Sequence, residues 1–423
     1  MPRADRRSET TRGIARHGRL RRHGPIRFVT SLIGIAVAVA LVSGGSVVAI
    51  AATNLSTSVK TVSIGAKNDQ VAKKAADITA IKGGANILLV GSDTRVGQTQ
   101  VQAGVADGSR NDVTILIHLS ADHQHMTAVS FPRDLMVNLP ACSGTGANGS
   151  SFPAQSYVQF NTSLGQGLGC TVQTVESMTG LTIPYAAEIT FDGVIEMSNA
   201  IGGVPVCTTR AIDDSDSGLV LSAGTHTLEG LQALQFLRTR HGVGDGSDLA
   251  RISSQQVFLS SMMRTIVSSG TLKSPVKLYG LASAAVSNMT FSTGLGNTTT
   301  LIQLGLALKN IDLANVLFVQ YPAATDPRNV NRVVPDTTSA DVLNQDLLAD
   351  TAFTLGDSST GRASVSEGST ATPTATTTPT TSATTGASTG AAATTTPTSG
   401  ATALPSTITG QSAAEQTCSV GNG

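Results

Sequence analysis

The stretch Asn86–Asp134 holds three apolar runs, each with arginine and aspartate at one end. NILLVGSDTR occupies Asn86–Arg95, RNDVTILIHL occupies Arg110–Leu119 and MTAVSFPRD occupies Met126–Asp134. NILLV stops at Gly91, as a buried strand does. VTILIHL is β-branched and apolar, and MTAVSF is a third strand of the same kind. The ADHQH segment between the last two is short enough for a hairpin. If the three strands pair antiparallel, the end of the first, the start of the second and the end of the third share one edge. Strand polarity alone then gathers Asp93 and Arg95, Arg110 and Asp112, and Arg133 and Asp134.

A second basic and acidic block lies farther on, FLRTRHGVGDGSDLARISSQQ at Phe236–Gln256. Thr227 reads as an N-cap for a short helix, Leu228–Leu234, with Glu229 in its first turn. Phe236–Arg240 alternates as a strand would, which puts Arg238 and Arg240 on one face. Ser247 caps the next helix, on which Asp248, Arg251 and Gln255 share a face by their spacing. A helix near Thr171–Met178 and α/β-like stretches at Ser274–Met289 and Thr298–Tyr321 complete one α/β domain over residues 85–352.

The flanks differ in composition. The chain has 423 residues, 40% hydrophobic and 13% charged, so it can bury a sizeable core. Its formal net charge of zero conceals a basic arm, residues 1–27, with nine arginines between Arg3 and Arg27 against Asp5 and Glu9. The remainder is mildly acidic, which excludes nucleic acid as the main ligand. Phe28–Thr53 is uncharged, and a helix needs roughly 20 apolar residues to cross a bilayer. The expectation is a single-pass cell-membrane anchor, with a cytoplasmic N-terminus and an extracytoplasmic catalytic domain. Residues 54–84 read as a stalk. Residues 353–423 read as a Thr/Ala/Pro-rich disordered tail that buries too little to offset its ordering entropy. Cys142, Cys170, Cys207 and Cys418 suit an oxidising compartment. Of the three possible pairings, Cys142–Cys170 is expected because it brackets one loop-rich insertion.

Arginine offers a fixed fork of donors that matches phosphate oxygens in pairs. Arg95, Arg110, Arg133, Arg238 and Arg251, with Arg240 as a sixth, exceed what structural ion pairs need. The acidic residues among them would repel a phosphate unless a cation intervened. Asp93 and Asp112 suit Mg²⁺, which takes one or two carboxylates beside phosphate oxygens and water. The chemistry implied is phosphoryl transfer on a pyrophosphate, by positioning and charge neutralisation. An isolated Arg or Asp reads as a surface ion pair; the set at one sheet edge does not.

GSDTR, the RND before VTILIHLS, FPRD, FNTSLGQG, IGGVPV and the LRTRH to ARISSQQ block together resemble the LytR–CpsA–Psr family, over Asn86–Ile266. The resemblance implies a mixed central sheet sandwiched by helices, with an apolar cavity lined from Val113–Leu119 and Val257–Met263. It implies a Mg-dependent phosphotransferase that moves a phosphate-linked glycopolymer from a polyprenyl-pyrophosphate carrier to a peptidoglycan hydroxyl, at a membrane. Carried over by position, the metal aspartates are Asp93 and Asp112. The pyrophosphate ligands are Arg110, Arg133, Arg238, Arg240, Arg251 and Gln255, with Arg95 nearby. Arg133, Asp134 and Asp248 carry the catalytic roles. Two departures stand out: Gln159 where the family often has Lys, and Ser254 where Arg usually precedes the glutamine pair.

GTGANG (Gly144–Gly149) matches a dinucleotide fingerprint but sits between no strand and helix. Asp214-x-Asp216-x-Gly218 starts like a calcium loop and lacks its closing acid, so it reads as a polar turn. His241 follows the RTR segment and could approach a phosphate. A non-catalytic wall-tethering or regulatory module that binds lipid-linked carriers would need no pair of metal carboxylates.

Overall fold

The computed structural model describes residues 58–74, 84–94, 98–101, 109–145, 149–268, 274–308, 311–356, 360–367 and 401–422. Twelve strands matter for the site. They are β1 (Lys60–Val62), β2 (Ala85–Ser92), β3 (Asn111–Leu119), β4 (Met126–Phe131), β5 (Tyr185–Ile189), β6 (Val204–Thr208), β7 (Gly224–Leu228), β8 (Met289–Ser292), β9 (Val316–Gln320), β10 (Ser364–Ser366), β11 (Gly410–Ser412) and β12 (Thr417–Ser419). Eight form a mixed sheet in the order β1-β8-β5-β2-β3-β4-β9-β11. A second sheet runs β7-β6-β12-β10.

The expected central meander is present. β2 pairs antiparallel with β3, Leu88 opposite Leu116, and β3 pairs antiparallel with β4, Leu116 opposite Val129. Period-two alternation sends neighbouring residues to opposite faces. Leu88, Leu116, Val129 and Val319 join one core with helices α2 (Leu168–Thr179) and α8 (Thr337–Leu348). Ile87, Ile115, Ala128 and Phe318 join the other, against α6 (Pro275–Asn288), α7 (Thr298–Leu308) and part of α5 (Asp248–Ser268). Helices thus cover both faces, the sandwich that the resemblance implied. Helix α1 (Ala66–Lys74) and the pair α3 (Phe191–Ile201) and α4 (Gly230–Arg238) complete the frame.

Three expectations are corrected. The anchor Phe28–Thr53 lies outside the described residues, and no helix among the described ones is long and apolar enough to cross a membrane. The longest, α5, carries Asp248, Arg251 and Arg264 and packs on protein. The single-pass membrane placement that rested on such a helix has no counterpart in the described structure. Second, part of the expected tail is folded. β11 pairs with β9, β12 pairs with β6 and β10, and Cys418 is disulfide-bonded to Cys207. These residues supply strand edges and apolar contacts despite a polar composition, because partners distant in sequence accept them. Third, Leu228 ends strand β7, paired with Val204, rather than starting a helix. The helix begins at Gly230 and runs through Arg238, so Phe236–Arg240 is not a strand. Cys142–Cys170 is bonded as expected.

Candidate active site

Site residues converge at the edge where β2 and β4 end and β3 begins. The Asp93 carboxylate accepts the Arg110 backbone N–H at 2.7 Å, and the Asp93 N–H donates to the Arg110 carbonyl at 3.0 Å. These bonds close the β2–β3 edge with the two residues facing. Arg133, just past β4, donates from Nη1 to Asp112 Oδ1 at 2.9 Å. Its backbone N–H donates to Asp248 Oδ2 at 3.0 Å.

Asp248 opens α5, where Ser247 caps the first turn by accepting the Ala250 N–H at 3.1 Å. One turn on, Arg251 pairs with Asp248 at 2.7 Å and donates to the Asp112 backbone carbonyl at 2.8 Å. Gln255 follows on that face and donates to the Leu237 carbonyl at 2.8 Å. The helix therefore delivers Asp248, Arg251 and Gln255 together, as their spacing predicted. Arg251 is only 3% exposed, and the buried Nε atoms of Arg133 and Arg251 lack hydrogen-bond acceptors. Burial opposes charge on Arg133, but Asp112 and Asp248 outweigh it and hold its pKa above the ordinary value. Arg133 and Arg251 thus bring two guanidinium groups to the same two residues, Asp112 and Asp248, a concentration of charged donors that suits an anion with several oxygens.

Asp134 is a hub. Its carboxylate accepts Gln159 Nε2 at 3.0 Å and Arg332 Nη1 at 3.3 Å, with Arg240 at 4.0 Å and Arg133 at 3.9 Å. Gln159 keeps a neutral contact where the resemblance led one to expect a cation. Arg332 brings a charge from the hairpin of Ala323–Asp326 and Asn329–Pro335. Arg332 carries no signal in the sequence, since it lies 76 residues beyond Gln256, where the last charged motif ends.

Arg238 ends α4 with its guanidinium 4.8 Å above the Phe191 ring. Arg240 follows in the loop 239–247, its Nε donating to the Gly246 carbonyl at 3.1 Å. That loop is fastened to Asp214, whose carboxylate accepts the Thr239 hydroxyl at 2.6 Å, the Arg240 N–H at 2.8 Å and the Gly242 N–H at 3.2 Å. Burial opposes the charge of Asp214, yet these bonds and one from Ser217 hold its pKa at about 2. The polar turn read from the sequence is thus also a brace. Arg95 lies outside the described residues.

Two cavities meet here. The polar one, about 160 Å³, is lined by Asp112, Arg133, Arg238, Arg240, His241 and Arg251 with Asp214, Asp216 and Ser217. The apolar one, about 150 Å³, takes Val113 and Ile115 from β3 and Phe258, Leu259 and Met262 from α5. Those are residues of the two stretches expected to line it. Phe191, Val194 and Met197 of α3 also contribute. Asp112, Arg238 and Arg251 line both.

Among the described residues, Asp214, Asp216 and His241 form a three-ligand group that could hold a divalent cation, their ligating atoms within 4.8 Å of one another. Asp214 spends its oxygens on the loop, and His241 pairs with Asp216 at 2.8 Å. Asp93 and Asp112 belong to no such three-ligand group among the described residues; Asp93 accepts the Arg110 N–H and Asp112 pairs with Arg133.

The chain is 31% identical over 273 residues to the cell wall biosynthesis protein LcpA of Corynebacterium glutamicum, covering 59% of this chain and 52% of LcpA. The matched stretch thus spans about half of that relative's length. It is 27% identical to the polyisoprenyl-teichoic acid–peptidoglycan teichoic acid transferase TagT of Bacillus subtilis, covering 67% of this chain and 84% of TagT. The LytR-Csp2A-Psr enzyme from Actinomyces oris shares the fold with a TM-score of 0.50 at 23% identity, covering 64% of this chain and 91% of that one. The profile of the LytR_cpsA_psr family matches residues 48–349, more than half of the sequence, so this chain belongs to the LytR–CpsA–Psr family.

Proposed function

We propose that this chain transfers a phosphate-linked glycopolymer from a polyprenyl-pyrophosphate carrier to a peptidoglycan hydroxyl. One observation carries the reading: an apolar cavity and an arginine-rich polar cavity share Asp112, Arg238 and Arg251 as a common wall. A prenyl pyrophosphate has that same division, an apolar chain ending in a dense anion. The activity that TagT is named for, transfer of teichoic acid from a polyisoprenyl carrier to peptidoglycan, supports the reaction class.

In this reading the prenyl chain packs against β3, α3 and α5, and the pyrophosphate faces Arg133, Arg238, Arg240 and Arg251. The guanidinium groups of Arg133 and Arg251, which line the polar cavity, take its oxygens. The wall hydroxyl attacks the sugar-proximal phosphorus, the bond to the carrier's terminal phosphate oxygen breaks, and polyprenyl phosphate leaves. Beyond Asp112 at 2.9 Å, Arg133 has Asp248 at 3.5 Å and Asp134 at 3.9 Å, and these two carboxylates are the candidates to take the hydroxyl proton. Asp93 and Asp112, hard oxygen ligands at the edge where the pyrophosphate would lie, are the residues that would hold Mg²⁺ on giving up their present partners, Arg110 and Arg133. Bound there, Mg²⁺ would neutralise charge on the phosphates.

The test is incubation of the protein with a polyprenyl-pyrophosphate glycan, Mg²⁺ and peptidoglycan fragments. Polyprenyl phosphate and a phosphodiester-linked product are expected together. Binding without turnover would favour a carrier-binding module, and prenyl product without acceptor consumption a simple hydrolase.

A further inference from the structure

The arginine loop 239–247 is held from one side by Asp214, and from the other by a segment outside the family-matched residues. The Gly244 N–H donates to the Val420 carbonyl at 2.9 Å, and the Asn422 N–H donates to the Gly242 carbonyl at 3.0 Å. The Asn422 side chain donates to the His241 carbonyl at 2.6 Å. Val243 and Gly421 bridge as a short antiparallel pair. Arg362 adds an ion pair to Asp245 at 2.9 Å. His241, Gly242, Val243, Gly244 and Asp245 are therefore each contacted by residues beyond 349, where the family match ends.

That segment is itself anchored. Cys418 is bonded to Cys207 on β6, and the Ser254 hydroxyl, fully buried on α5, meets the Ser419 hydroxyl at 2.7 Å. Arg264 donates to the Ala413 and Glu415 carbonyls at 2.8 and 2.7 Å. Packing at the junction leaves no slack. A Cβ on Gly421 would lie 2.1 Å from the Ala211 carbonyl oxygen, next to the turn that carries Asp214. Gly244, at φ +52°, lies between Arg362, Ala363 and Ala250.

The geometry points to Val420–Asn422 as a positioning brace that sets where the 239–247 loop presents Arg240 to the pyrophosphate. Asn422 is then a positioning residue, acting through the loop backbone, and its role in binding rests on the function proposed above. Every amide it braces lies within four residues of Arg240, so small displacements pass directly to the guanidinium.

Two full-length variants test this, Asn422→Ala, which keeps the backbone bond, and Gly421→Val, which cannot keep the pairing without a shift. Farnesyl pyrophosphate with Mg²⁺ is the probe, titrated by calorimetry, beside amide exchange across Thr239–Gly246 and thermal melting. Asn422→Ala should weaken binding about fivefold, the scale of one lost hydrogen bond, with KM raised and kcat held. Gly421→Val should weaken it further and speed exchange at Gly244. Added to Arg240→Ala, Asn422→Ala should cost nothing more, because both act on the same guanidinium. Full additivity, or unchanged affinity in both single variants, would overturn the brace. Should the unmodified protein fail to bind farnesyl pyrophosphate, the proposed function falls, and the exchange data still decide the brace: unaltered protection at Gly244 in Gly421→Val rejects it, and lost protection upholds it.

Discussion

At Arg133 burial and nearby carboxylates oppose each other, and the carboxylates prevail. The side chain is largely removed from water, and Asp112, Asp248 and Asp134 all lie within 4 Å of its guanidinium. Removing it leaves Asp112 without its ion pair, so Arg133→Ala is expected to cut transfer roughly 10²- to 10³-fold, as loss of an oriented charge donor does. Arg133→Lys should recover little, because an ammonium cannot meet Asp112 and a phosphate with one planar fork. Steady-state transfer assays on both variants check this. Asp214 makes a pH prediction. Its folded pKa of about 2 lies below the ordinary 3.8, so its contribution is full above pH 3.8 and disappears as pH falls through about 2. Melting curves should therefore separate the unmodified protein from Asp214→Asn above pH 4 and converge near pH 2; a constant gap would reject the assignment.

At the scale of elements, strand polarity was legible because it needs only the order of apolar runs and turns. The β2-β3-β4 meander and the meeting of Asp93, Arg110, Asp112 and Arg133 followed from it. The α5 face was legible for a similar reason, since i, i+3, i+7 spacing is a local property of a helix. Leu228–Arg240 was not. A short apolar run is ambiguous between helix and strand, and what settled it was pairing of Gly224–Leu228 with Val204–Thr208. Arg238 consequently leaves a helix end over Phe191 instead of sharing a strand face with Arg240. The apolar cavity lies between β3, α3 and α5, so Met262→Trp on α5 should fill it. Prenyl pyrophosphate affinity is expected to fall about tenfold or more while inorganic pyrophosphate binds as before. Equal losses for both ligands would place the prenyl chain elsewhere.

Across the whole molecule, the two disulfides differ in what they close. Cys142–Cys170 spans 28 residues, and Cys207–Cys418 spans 211 and ties the C-terminal strands to the second sheet. Replacing Cys207 and Cys418 by Ser should lower stability by about 2–4 kcal/mol, measured by denaturant unfolding under oxidising conditions. Reducing agent should destabilise the unmodified protein more than the double variant, which has only the Cys142–Cys170 bond left to lose. Local pattern determined the order of the central strands, the polarity that gathers the charged motifs and the helix face carrying Asp248, Arg251 and Gln255. Each depends on neighbours close in the chain. Tertiary structure alone decided that Arg332 reaches Asp134, that α3 walls the apolar cavity, and that Gly421 and Asn422 hold the Arg240 loop. Those contacts join residues many tens of positions apart, through backbone groups and polar side chains whose identity leaves no periodic trace in sequence.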